Sequence, residues 1–236
     1  MIPSLWVPSP NYGYPTGKAG RGGHQVVAIV NHIAQGTRAG LISEFKSPAT
    51  QKSSTYGVDV DGTIIYFVDE ANAAYANGVD FPRGYDAYRS NLAVPWIKDC
   101  WDRRVNPNLV TVSIEHVGYS GQPLTEKQYQ ASLALHRALF TKYGWDPADR
   151  TRIVGHVDID SVNKPNCPGP SFPWGRLRAD LAREQEAGEV DPDFLQYGTT
   201  WREVAVNLLG VATDALEAGR KQRDLASQVI DTWGHR

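Results

Sequence analysis

Six histidines and two cysteines are this chain's nitrogen and sulfur donors for a transition metal. His156 and Cys167 bracket ten residues in HVDIDSVNKPNCPGP, a polar, turn-prone loop. Pro168 and Gly169 shape the backbone directly after the sulfur. A buried structural cysteine usually keeps apolar company, and Cys167 does not. A His at a strand end and a Cys on the following loop can meet one metal ion. His32, closing the run QVVAIVNH, can supply a third ligand from another strand end. Two imidazoles and one thiolate leave a tetrahedral zinc with one open position, as in a catalytic site. Such a zinc polarises carbonyl groups and acidifies water. His136 lies in an amphipathic stretch and reads as structural; His24 and His235 carry no signal. Cys100 and Cys167 can form a disulfide or remain two free thiols.

These side chains need strand ends and loops to carry them. The apolar run 25–32 suits a strand buried on both faces. Residues 38–46 suit a short helix, and 54–70 read as strand, Asp61-Gly62 turn, strand. LVTVSIEHVG, 109–118, alternates, with Val110, Val112 and Ile114 on one face and Thr111, Ser113 and Glu115 on the other. A carboxylate on that polar face, beside an acidified water, suits general-base work. Residues 125–144 form an amphipathic helix capped by Thr125. RIVGH, 152–156, is a strand that ends on His156, and 172–185 form a helix with Pro173 in its first turn. Residues 1–24 read as an irregular arm. Residues 71–108 read as a long loop with a helical turn near Pro95–Trp101. Its aromatic and amide residues, Tyr75 and Asn77 among them, can meet a sugar face or simply anchor the loop.

Net charge is −2 and no basic stripe occurs, which argues against nucleic acid as a partner. No run of about 18 apolar residues predicts membrane insertion. The opening MIPSLWVPSPNYGYP has no basic n-region or long apolar run, so the expectation is synthesis in the cytoplasm without a secretory signal.

The motifs, taken in order, resemble those of the zinc-dependent N-acetylmuramoyl-L-alanine amidases shared by phage endolysins, wall-recycling amidases and peptidoglycan recognition proteins. VAIVNHIAQGT resembles the segment around the first ligand, SSTYGVDVDGTIIYFVDE the hairpin after it, and NPNLVTVSIEHVG the strand carrying the acid. IVGHVDIDSVNKPNCPGPSFPW resembles the segment with the second and third ligands. The resemblance covers about residues 5–182. It implies an α/β fold, a single central mixed β-sheet flanked by helices, and one zinc ion on His32, His156 and Cys167. It implies peptidoglycan as substrate and cleavage of the amide between N-acetylmuramic acid and L-alanine. Glu115 would then move the proton from water to the leaving amine. Lys164 would help hold the oxyanion, although it stands one residue farther from the cysteine than is common in relatives. Tyr56 is a weaker candidate for substrate contact, since many relatives carry His at the position of Thr55. Asn31, Asp158 and Asp160 lie near enough in sequence to brace the histidines.

The resulting organisation is a catalytic domain over 1–185, a linker over 186–198 and a small helical region over 199–236. The last has a capping box from Thr200 to Glu203 and apolar stripes that need a partner surface. Wall binding, docking and homo-oligomer formation all fit those stripes. A phage or prophage endolysin acting on the cell wall is the expected role. A cytosolic recycling amidase and a non-catalytic recognition module are the alternatives.

Overall fold

The structure, a computed structural model, describes residues 4–14 and 18–187. Residues 186 and 187 of the expected linker end a helix, and the rest of the linker and the C-terminal helices lie outside the described residues. Six strands form one sheet: β1 (Ser4–Trp6), β2 (Ala28–Ile33), β3 (Tyr56–Val58), β4 (Ile64–Tyr66), β5 (Thr111–His116) and β6 (Ile153–Gly155). Their order across the sheet is β1-β4-β3-β5-β2-β6. Among the described residues the β3–β4 hairpin is antiparallel and the other four pairings of these strands are parallel, so the sheet is mixed. Helices α1 (Arg38–Lys46), α2 (Pro95–Arg103), α3 (Glu126–Tyr143), α4 (His156–Ile159) and α5 (Trp174–Ala187) surround it.

Local chemistry accounts for the helix ends. The Thr37 hydroxyl accepts from the Gly40 N–H and starts α1; Thr125 does the same for Gln128 in α3. Gly144 ends α3 in the left-handed conformation, at φ 64°. Pro95 opens α2, where its missing N–H costs nothing.

The central strands β2 and β5 are covered on both faces. On one face Ile29, Tyr56, Val58, Ile64, Val112, Ile114 and Ile153 meet α3 and α5. The other face carries two separate apolar clusters. Ala28, Val30 and Val154 pack with α2, while Ile65 and Phe67 pack with Leu41 and Phe45 of α1. Between these clusters runs the polar row Thr111, Ser113 and Glu115. The alternation in β5 thus marks two buried faces, one apolar and one polar, with Thr111 and Ser113 each only 1% exposed.

Two expectations change. The N-terminal arm is not wholly irregular, because β1 adds to the sheet edge beside β4. Its end is anchored by Arg21, whose Nε donates to the Glu70 carbonyl and whose Nη1 donates to the carbonyls of Asn108, Leu109 and Thr111. The strand expected to end on His156 stops at Gly155, and His156 opens the single turn of α4. The Asp158 carboxylate accepts from the Gly155 N–H and so holds that turn.

Candidate metal centre

Parallel pairing sets β2 and β5 side by side with His32 opposite Glu115. Both side chains emerge on the polar seam at the carboxyl ends of their strands. β6 lies on the other side of β2 and delivers His156 just past Gly155. The imidazoles of His32 and His156 meet edge to face, with ring centroids 4.6 Å apart. Cys167 returns on the loop after α4, where its carbonyl accepts from the Val157 N–H at 2.9 Å. Its Sγ stands 3.8 Å from His32 Nδ1 and accepts from the Ile33 N–H at 3.5 Å. One ligand atom from each of His32, His156 and Cys167 lies within 4.8 Å of the others.

Small residues let this loop close over the strand ends. A Cβ on Gly155 would stand 2.8 Å from Pro168 Cδ and 3.3 Å from the Cys167 carbonyl oxygen. Gly169 has φ +99°, and a Cβ there would meet Ser120 Oγ at 2.3 Å. The CPG sequence is therefore wedged against β6 on one side and the 118–121 segment on the other.

The donor set fits a metal ion. Two imidazole nitrogens and a sulfur suit zinc-like ions, and ligands of one tetrahedral zinc stand roughly 3.5 Å apart. Burial first, then the nearby His156, His116 and Lys164, hold His32 well below its ordinary pKa against a hydrogen bond with Asn77, so it is a neutral donor. Burial lowers His156 to about 4, with Lys164 adding to the effect. Burial raises the Cys167 thiol to about 12, helped by Glu115. A dication would reverse that last preference by stabilising the thiolate.

Glu115 stands at the edge of the group. Its Oε1 is 3.9 Å from His32 Nδ1, and the side chain is 14% exposed. Burial, then the charge of Glu44, push its carboxyl up to about 8, while Lys164 and Lys52 pull it down. Lys164 is itself exposed. Its charge bears on His32, His156, Cys167 and Glu115 alike, so it lies near all four.

The substrate contacts read from sequence fare differently. Tyr56 pairs with Ile114 in register, so its side chain lies on the α3 face, away from Glu115. Its hydroxyl donates to Glu70, and it is corrected from substrate contact to core residue. Asn77 is also corrected: it is 0% exposed and cannot touch a substrate. Tyr75 is half-buried, donates from its hydroxyl to the Tyr12 carbonyl, and lines an open cleft of about 380 Å³ with Tyr14, Gln51, Asn106 and Asn108. Thr55 is buried, and its hydroxyl accepts from the Ser113 N–H at 3.2 Å. Among the braces, Asp160 bears electrostatically on His156 and Asp158 holds its turn. Asn31 pairs with Ile114, on the opposite face from the ligands. Both cysteines are free thiols.

His116 has a part that the sequence reading missed. Its Nδ1 donates to the His32 carbonyl at 3.0 Å, and its Nε2 accepts from the Ser132 hydroxyl of α3 at 2.8 Å. It thereby ties the first ligand's backbone to the helix behind the sheet. The signal was parity, since His116 continues the apolar face of Val112 and Ile114.

A protein-family model described as N-acetylmuramoyl-L-alanine amidase matches residues 22–170. This chain belongs to that family. All of His32, Glu115, His156, Lys164 and Cys167 fall inside the matched range. The 1,6-anhydro-N-acetylmuramyl-L-alanine amidase AmpD of Citrobacter freundii is 36% identical over 93 residues, 36% of this chain and 48% of that protein. The N-acetylmuramoyl-L-alanine amidase A of Achromobacter lyticus is 24% identical over 189 residues, 72% of this chain and 89% of that protein. The chain spans about half the length of the AmpD relatives it matches. The crystal structure of a Se-Met AmpD derivative shares the amidase fold, with TM-score 0.55 and 23% identity over 76% of this chain and 95% of that one. So does AmiD of E. coli, solved with anhydro-N-acetylmuramic acid-L-Ala-D-gamma-Glu-L-Lys, with TM-score 0.51 and 20% identity over 78% of this chain and 74% of that one.

Proposed function

We propose that this amidase-family chain hydrolyses the amide joining the lactyl group of N-acetylmuramic acid to L-alanine in peptidoglycan, using one zinc ion on His32, His156 and Cys167. The observation that carries the reading is the convergence of those ligand atoms within 4.8 Å, with the Glu115 carboxylate 3.9 Å from His32 Nδ1. Zinc, when bound, supplies a Lewis acid that polarises the carbonyl and makes water more acidic. Glu115, whose carboxyl a dication beside it would bring back to the ionised form, accepts a proton as water's oxygen adds to the carbonyl carbon. It returns that proton to the alanine nitrogen as the carbon–nitrogen bond breaks. The Lys164 ammonium faces the charge that develops on the carbonyl oxygen. Tyr75, on the wall of an open cleft, is the remaining candidate for substrate contact.

We read the biological role as that of a phage or prophage endolysin, made in the host cytoplasm and acting on the cell wall. The support is the sequence of 199–236, whose apolar stripes need a partner surface such as the wall, another protein or a second copy of the chain. The proposed division is a catalytic domain over 1–185, a linker over 186–198 and this helical region.

Isolated cell walls digested with and without chelator test the activity. The expected product is new free L-alanine amino groups, made only with metal present. New reducing sugar ends without such amines would mean a glycosidase and sink the proposal. Side-by-side assays on intact walls and on soluble 1,6-anhydro-muropeptides test the role, and a strong preference for the soluble fragments would favour recycling.

A further inference from the structure

Asn77 is buried against the ligand side of the sheet, and its hydrogen bonds leave one atom over. We propose that Asn77 is a positioning residue that holds His32 in the tautomer presenting the Nδ1 lone pair to the metal. This rests on the metal-centre reading above.

Thr111 fixes the orientation of the Asn77 amide. Its hydroxyl donates to the Pro107 carbonyl at 2.8 Å, so its single hydrogen is taken and it can only accept further bonds. The Asn77 atom 2.8 Å from Thr111 Oγ1 must then be the donor, Nδ2. Nδ2 also donates to Ser113 Oγ at 3.2 Å. Both amide hydrogens are thereby used, and the orientation of the amide is set by chemistry rather than by choice.

Oδ1 is left as a buried acceptor. Among the described residues it has no hydrogen-bond partner, and neither has the buried Nε2 of His32. The two are neighbours. Thr111 and Ser113 pair with Ala28 and Val30, so Asn77 sits on the seam one pleat below His32. Asn77 raises the His32 pKa by hydrogen bonding, against the lowering by burial, although the two atoms stop short of normal hydrogen-bond geometry. Closing that contact would pair the two orphaned atoms with each other. Oδ1 can only accept, so His32 Nε2 must carry the hydrogen. Nδ1 is then unprotonated on the side of Cys167 Sγ, 3.8 Å away. The opposite tautomer would set two lone pairs against each other and block the ligand atom.

The backbone of Asn77 is held for this purpose. Asn108 Oδ1 accepts from the N–H groups of Ala76 at 3.2 Å and Asn77 at 2.6 Å. Asn106 Oδ1 in turn accepts from the Asn108 N–H at 3.0 Å.

The test uses the full chain labelled with 15N-histidine. In the metal-free wild type, His32 should show the Nε2–H tautomer by NMR; an Nδ1–H tautomer overturns the assignment without any variant. Zinc affinity is then measured by competition with a chromophoric chelator. Asn77→Leu removes the acceptor at similar volume and should weaken zinc binding by roughly 10- to 100-fold. Asn77→Asp keeps an acceptor for Nε2–H but loses the donors to Thr111 and Ser113, so it should bind zinc more tightly than Asn77→Leu. Wild-type binding with an unchanged Asn77→Leu affinity would overturn the role of Asn77 alone. Failure of the wild type to bind zinc would overturn the metal-centre reading with it.

Discussion

His32 and Glu115 face each other across the seam between two parallel strands, with Nδ1 3.9 Å from Oε1. That spacing is too long for a hydrogen bond, and Glu115 stands outside the trio His32, His156 and Cys167, whose donor atoms all lie within 4.8 Å of one another. A carboxylate in that place can move a proton without occupying the metal. Glu115→Gln keeps the shape and removes the base. Its turnover on isolated walls should fall by about 10²- to 10⁴-fold, while bound zinc, measured by elemental analysis, stays at the wild-type level.

Metal should support folding as well as chemistry. His32, His156 and Cys167 come from separate segments of the chain, so an ion that joins them binds only the folded state. Zinc at a hundredfold excess over its Kd should add about 2.7 kcal/mol to stability. Chelation should therefore lower the melting temperature as well as stop turnover, and zinc should restore both. Cys167→Ser should lose most of that zinc-dependent shift in a thermal melt.

The glycine before His156 carries a steric prediction. A methyl at Gly155 would stand 2.8 Å from the rigid Pro168 ring and 3.3 Å from the Cys167 carbonyl. Gly155→Ala should cost about 1–3 kcal/mol of stability in denaturant unfolding. It should also reduce zinc affinity, because the displaced segment carries the sulfur ligand.

Lys164 tests charge near the site. Lys164→Met removes the positive charge felt by Glu115 and both histidines. The expected result is a fall in kcat of about 10²- to 10³-fold, with little change in melting temperature because the side chain is exposed. Equal turnover of the two proteins would remove Lys164 from the mechanism.

His136 gives a pH dependence away from the metal. It is buried in α3, where Nδ1 donates to the Ser132 carbonyl at 2.7 Å, and burial lowers its pKa from 6.5 to about 4. The unfolded chain takes up a proton near pH 6.5, which the native chain resists until about pH 4. Stability from this residue is therefore whole above pH 6.5 and drains as pH falls toward 4, by about 1.4 kcal/mol per pH unit. His136→Gln should flatten the pH slope of unfolding free energy over that window. Identical slopes for both proteins would refute the assignment.

The sequence by itself marked the apolar strands, the hairpin, the capped α3 and the candidate ligands His32, His156 and Cys167, while the mixed sheet was only what the resemblance to the amidase family implied. The features it marked rest on local signals: apolar runs, the Asp61-Gly62 turn, a Thr cap, and a cysteine in a loop with no apolar company. Glu115 was legible because strand alternation fixes which face a side chain takes. Tertiary structure decided what parity and spacing could not. Tyr56 lies on the α3 face because β3 pairs in register with β5, and register depends on both strands at once. Asn77 is buried because the loop over 71–108 folds onto the polar row of β5, and long loops carry no period from which their landing place can be read. His116 became a brace only when α3 brought Ser132 to its ring. A histidine's partners come from distant parts of the chain, and only packing brings them together.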